Sequence, residues 1–127
     1  MIAADTSTWI AFLQGDGGTD VAALDGALEG RHLLMPPVVL TELLSDPKLD
    51  PDVAASLVEL PLIDFTDGYW RRAGELRARV LAIRRKARLA DALIAQSCID
   101  RAMALLTRDR DFLTFAKAAG LDLAISA

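Results

Sequence analysis

The chain has 127 residues, of which 53% are hydrophobic and 25% charged, with a net charge of −4. That apolar content excludes a disordered chain, and the length is enough for one domain, residues 1–127, with a buried core. Cys98 is the only cysteine, which excludes an internal disulfide and suits a reducing cytoplasm, and the longest wholly apolar run, residues 33–40, is too short and proline-broken to span a bilayer.

In chain order, Ile2 to Ala4 is a short strand that ends at Asp5. The amino terminus meets this Asp without any preceding basic region, so it is not expected to be a signal peptide. Thr6, Ser7 and Thr8 offer capping hydroxyls to a helix carrying Trp9, Ile10, Phe12 and Leu13, which Gly15, Gly17 and Gly18 break. Thr19 or Asp20 caps a second helix with Val21, Leu24 and Leu28 on one face, ended by Gly30. Leu33 to Met35 is a second strand. Pro36 and Pro37 then open a helix that includes Glu42 and stops at Asp46-Pro47.

Pro51 starts the next helix, with Val53, Leu57 and Leu60, and Leu62-Ile63 is a brief third strand. A long helix from about Tyr69 to Arg85 sets Trp70, Ala73, Leu76, Val80 and Ile83 at core spacing, with arginines elsewhere. Asp91 leads an apolar helix through Cys98 and Ile99. Ala104 to Leu106 is a fourth strand, residues 112–119 a helix, and Leu121 to Ile125 a fifth strand. Short apolar strands separated by helices predict a three-layer α/β/α architecture with a mainly parallel sheet. Cys98, Trp9 and Trp70 are expected to pack in the core, and His32 to lie at the surface.

Charge is unevenly distributed. Residues 1–70 hold two basic and twelve acidic side chains, whereas residues 71–88 hold eight basic ones against Glu75 alone. Such a basic stripe suits either a phosphate backbone or a solvated helix face. Arg84, Arg85, Lys86 and Arg88 are the candidates for guiding a nucleic acid.

Asp5, Glu42, Asp91 and Asp109 each sit beside or within an apolar stretch. Carboxylates in apolar surroundings are costly without a neutralising partner, and no Lys or Arg is near Asp5 or Glu42 in sequence. Each has a local alternative. Asp5 and Asp91 could cap helices, Glu42 could reach solvent from a helix edge, and Asp109 and Asp111 could form a turn. Taken jointly, the acids fall near the carboxyl edge of a parallel sheet, where ligands of such folds sit. Hard divalent cations such as Mg²⁺ and Mn²⁺ favour carboxylate oxygens, and a metal-assisted acidic cluster suits hydrolysis of a phosphodiester.

These segments resemble the PIN-domain ribonucleases, specifically the VapC-type toxins of bacterial toxin–antitoxin pairs. The resemblance rests on Asp5-Thr6-Ser7, Thr41-Glu42-Leu43-Leu44, residues 89–95 around Asp91, and residues 106–112 around Asp109 and Asp111. It implies that Asp5, Glu42, Asp91 and Asp109 bind Mg²⁺ or Mn²⁺, that Asp111 supplements them, and that Ser7 and Thr107 orient the carboxylates. Many relatives carry Asn where this chain has Asp109, with the following acid one residue later, so the resemblance leaves open which of Asp109 and Asp111 contacts metal. It also implies a homodimer, a cognate VapB-like antitoxin, and an RNA substrate. Two other readings compete: an Mg²⁺-binding receiver domain, and a catalytically silent binding module.

Overall fold

The computed structural model describes residues 1–125 of the chain. Ten elements follow one another: β1 (Ile2–Ala4), α1 (Thr6–Leu13), α2 (Thr19–Glu29), α3 (Pro37–Leu44), α4 (Pro51–Val58), α5 (Tyr69–Ala82), α6 (Leu89–Asp100), β2 (Ala104–Thr107), α7 (Phe112–Ala119) and β3 (Leu123–Ile125). β1, β2 and β3 form a parallel sheet in that order, with Ala3 opposite Leu105 and Leu106 opposite Ala124. The expected strands at 33–35 and 62–63 shrink to single parallel bridges, Ile2 to Leu33 and Met35 to Leu62. They nevertheless extend the sheet beyond β1, so its lateral order runs from Leu62 through Met35 and Leu33 to β1, β2 and β3.

Parallel crossovers are almost always right-handed. From β1 the chain steps outward through α1 and α2 to Leu33, then through α3 and α4 to Leu62. It returns through α5 and α6 to β2 and steps the other way through α7 to β3. Opposite stepping directions place α1–α4 and α5–α7 on opposite faces, which is the expected three-layer α/β/α arrangement. α5, α6 and α7 pack on one another accordingly, and α1 packs on α2. The core between the layers includes Ala3, Ala4, Trp9, Leu24, Met35, Val39, Leu76, Val80, Ile94, Leu105 and Phe115. Cys98 is wholly buried there and its thiol is pushed up to about 12 by burial, which makes it an inert core residue. No helix among the described residues is long and apolar enough to cross a membrane.

Several helix ends refine or depart from the sequence reading. Of the two caps the sequence offered for α1, the structure uses Asp5, whose carboxylate accepts from the Thr8 N–H, and not the hydroxyls that follow it. α2 is preceded by Gly18, not capped by Thr19 or Asp20. α6 starts two residues before Asp91, with Arg88 at the cap position, so Asp91 lies within the first turn. α5 ends at Ala82 rather than Arg85, because Arg84 turns the chain with φ 59°. The buried face of α5 is Tyr69, Ala73, Leu76 and Val80, leaving Trp70 62% and Ile83 61% exposed. Trp9 packs as expected; Trp70 does not.

Candidate active site

The two innermost strands, β1 and β2, connect outward in opposite directions, so the sheet's switch point lies between their carboxyl ends. A crevice forms at such a point because the flanking helices diverge. Asp5 immediately follows β1, and Asp109 follows β2 by two residues. The Asp5 N–H donates to the Leu106 carbonyl at 3.0 Å, which ties the two strand ends together.

Asp5 is only 3% exposed and held on every side. Its Oδ1 accepts from the Ser7 hydroxyl at 2.7 Å and from the Thr8 N–H at 3.1 Å, and its Oδ2 accepts from the Thr107 hydroxyl at 2.6 Å. Burial still raises its carboxyl above the usual range, against the lowering effect of those donors, and Asp109 adds to the rise. Ser7 and Thr107 also reach the next loop. The Ser7 oxygen accepts from the Arg108 N–H at 3.0 Å and the Thr107 oxygen from the Asp109 N–H at 2.9 Å. Asp109 in turn accepts from the Asp111 N–H at 2.9 Å. The loop carrying the last two acids is therefore fixed by the same hydroxyls that hold Asp5.

Asp91, Asp109 and Asp111 converge: one carboxylate oxygen from each lies within 4.8 Å of the others, and all three are half-buried. The Asp91 carboxyl is pushed up to about 6, first by burial, then by the charge of Asp109, with Glu42 and Asp5 adding to the rise and Arg88 opposing it. Glu42 faces the same crevice from α3 but is exposed, and its Oε1 accepts from the Thr6 hydroxyl at 2.7 Å. The sequence placed Glu42 in apolar surroundings; the helix instead turns it out of the core. Lys86 lies beside the cluster with its Nζ 3.3 Å from Asp111 Oδ2, so one residue of the basic stripe already faces the acids.

The donor set is all carboxylate oxygen, the preference of a hard divalent cation, and such a cation offsets both the burial and the neighbouring charges that raise the Asp91 carboxyl. The residues fit a Mg²⁺ or Mn²⁺ ion.

One supporting pair escaped the sequence reading. Asp20 of α2 is 3% exposed and accepts from Arg108 Nε at 2.7 Å, from Arg108 Nη2 at 3.0 Å and from the Thr8 hydroxyl at 2.9 Å. Arg108 also donates to the Gly17 carbonyl, so the acidic loop is anchored to the start of α2. The signal was present: Asp20 shares its helical face with Leu24 and Ala27, an odd place for an unpaired acid. Much of the basic segment is likewise structural. Arg71 pairs with Glu75, Arg72 with Asp100 at 2.6 Å, and Arg77 donates to the Ala87 carbonyl at 2.8 Å.

No curated protein matches the sequence. Solved structures do. The chain is similar to a member of the VapBC family of toxin–antitoxin systems, VapBC-5, from Mycobacterium tuberculosis, with 24% identity, coverage of 98% of this chain and 97% of that one, and a TM-score of 0.66. It is similar to VapBC2 from Rickettsia felis bound to a DNA fragment from their promoter, with 23% identity, 98% of each chain covered and a TM-score of 0.71. DNA-bound VapBC from Salmonella typhimurium gives 18% identity, 98% of each chain covered and a TM-score of 0.72. At these identities the likeness is one of fold. The PIN domain family matches residues 2–119, which sets the receiver reading aside. With the acids gathered at the sheet's switch point and nearly the whole length matched, this chain belongs to the PIN domain family.

Proposed function

We propose that this chain is a divalent-metal-dependent endoribonuclease, the toxin of a VapBC-type toxin–antitoxin pair, folded as one PIN domain over residues 1–127. The observation that carries the reading is the convergence of Asp91, Asp109 and Asp111 beside the doubly anchored Asp5. Asp5, Glu42, Asp91 and Asp109 are the catalytic acids and hold Mg²⁺ or Mn²⁺, with Asp111 as a further ligand. A bound ion would activate water and neutralise charge on the phosphodiester. The protein's own contribution is to hold the acids at fixed positions. Ser7 and Thr107 orient Asp5 and fix the Asp109 loop, Thr6 steadies Glu42, and Arg108 clamps that loop to α2. Arg84, Arg85, Lys86 and Arg88 supply positive charge for the RNA backbone next to an otherwise acidic crevice.

The partners of this reading are an RNA substrate, a VapB-like antitoxin and a second copy of the chain, in a cytoplasmic setting. Support comes from the similar folds, which are described as VapBC complexes. The decisive experiment incubates purified protein with a structured RNA and Mg²⁺, in parallel with Asp91→Asn and with a chelator. Cleavage by the wild type alone, abolished by chelation, is expected. Equal cleavage by both forms would assign the activity to a contaminant, and no cleavage by either would favour the silent binding module. Single-stranded DNA of the same sequence, run alongside, decides between RNA and DNA.

A further inference from the structure

Behind the acidic loop, Arg85, Arg110 and Lys117 line one concavity of about 480 Å³, together with Ile83, Leu113 and Thr114. The three cations come from three segments: the α5–α6 connection, the β2–α7 loop and α7. Among the described residues none of them is in an ion pair. That sets them apart from Arg71, Arg72, Lys86 and Arg108, each of which has an acidic partner. Like charges gathered around a concave surface repel one another, and an anion in the concavity relieves that repulsion.

The position says which anion. Arg110 lies between Asp109 and Asp111, and Arg85 precedes Lys86, whose ammonium is 3.3 Å from Asp111. One short loop therefore carries acids into the crevice and a cation into the concavity next to it. A ligand with a single phosphate gains from one site only. A polymer with a phosphate at every step can set one phosphodiester at the acids while a neighbouring phosphate meets the cations. Two guanidinium forks and an ammonium suit phosphate oxygens, with Arg able to engage two oxygens at once.

We infer that the Arg85–Arg110–Lys117 concavity is an anchoring site for a backbone phosphate of the RNA strand, adjacent to the bond that is cut. The inference rests on the nuclease reading of the acidic cluster, and it moves the centre of RNA contact away from the stripe at 84–88 toward Arg110 and Lys117.

The test is fluorescence anisotropy of a labelled single-stranded RNA oligonucleotide with full-length protein in a chelator, across a series of salt concentrations. Arg85→Gln, Arg110→Gln, Lys117→Gln and their triple combination are compared with Arg79→Gln, which removes an exposed charge on α5, outside the concavity. Each lost phosphate contact lowers the magnitude of the salt slope by about 0.7, so the triple variant is expected to lose about 2. At about 0.1 M salt that corresponds to roughly fivefold weaker binding per contact and on the order of 100-fold in the triple variant. Arg79→Gln is expected to change neither quantity. A triple variant with the wild-type slope, or one no different from Arg79→Gln, overturns the inference. So does polyglutamate that binds the wild type as tightly as RNA does and loses its affinity in the triple variant, since the site would then serve an acidic polypeptide. Cleavage in Mg²⁺ is followed separately. A wild type that binds RNA but never cuts it overturns the nuclease reading, while the salt slope still decides the concavity.

Discussion

Asp5 combines a structural role with its proposed chemical one in one carboxylate, and its two oxygens are occupied differently. Oδ1 caps α1 through the Thr8 N–H, whereas Oδ2 takes only the Thr107 hydroxyl. Thr107 is wholly buried and is also the acceptor for the Asp109 N–H, so a single side chain sets the spacing of two acids. Thr107→Val keeps the shape and removes both interactions. We expect a loss of about 1–3 kcal/mol in urea unfolding from the groups left without partners. Metal binding, followed by calorimetry, should weaken about 10–100-fold, as for other residues that orient ligands. A variant with unchanged metal affinity would reduce Thr107 to a core residue. Asp91 makes a prediction about pH. Its folded carboxyl is pushed up to about 6, chiefly by burial, above the unfolded value of about 3.9, so the folded state holds the proton more tightly. The contribution of Asp91 to the stability of the metal-free protein is therefore fully present below about pH 4 and is lost as pH rises through about 6. Discounted for its partial exposure, the loss is on the order of 1–2 kcal/mol. The difference in urea unfolding between the wild type and Asp91→Asn, followed in chelator across this window, should show the decline, because the contributions of Asp5, raised by burial, and Asp100, lowered by Arg72, are common to both proteins.

At the level of elements, α5 shows where periodicity informs and where it misleads. Ala73, Leu76 and Val80 satisfy two registers of the same helix, one starting at Tyr69 and one at Trp70. The structure buries Tyr69, whose hydroxyl donates to the Leu93 carbonyl at 2.5 Å, and leaves Trp70 against Phe65 at the surface. Leu76→Ala should cost about 2–5 kcal/mol as a cavity in the core. Trp70→Ala should stay within about 1 kcal/mol, since only its edge contacts with Phe65 and Tyr69 are lost. Comparable losses in thermal unfolding would restore the register that the sequence suggested. The helices were legible because each carries its own apolar face, and α7 matches its sequence bounds, ending at Gly120 with φ 72°. The strands at 33–35 and 62–63 were less so, since a single bridge depends on how closely its neighbours approach rather than on local pattern. The acids stood out because Asp5, Asp91, Asp109 and Asp111 sit in short motifs at element ends. The Asp20–Arg108 pair did not, because its members are 88 residues apart and only the fold reveals that they meet. Asp20→Ala leaves the buried Thr8 hydroxyl without that acceptor and should cost about 1–3 kcal/mol.

For the whole molecule, the fold concentrates negative charge where the chain reverses its direction of travel across the sheet. Asp91, Asp109 and Asp111 converge there, Asp5 after β1 and Glu42 of α3 add their charge at Asp91, and the native state carries this repulsion when no cation is present. That arrangement works against stability in isolation, and on the proposed metal-binding reading it makes the folded state responsive to a divalent ion in a way the unfolded chain is not. An ion that binds only the folded state stabilises it by about 2.7 kcal/mol at a concentration 100 times its dissociation constant. Asp91→Asn separates the two effects, because it removes the repulsion at Asp91 and, on the proposed reading, a ligand. In chelator at neutral pH the variant should unfold at a higher temperature than the wild type. In saturating Mg²⁺ or Mn²⁺ the wild type should overtake it, since only the wild type retains the complete set of acids. The order of the two melting temperatures should thus invert on adding metal. An order that stays the same in both conditions would mean that the carboxylates share the crevice without sharing a cation.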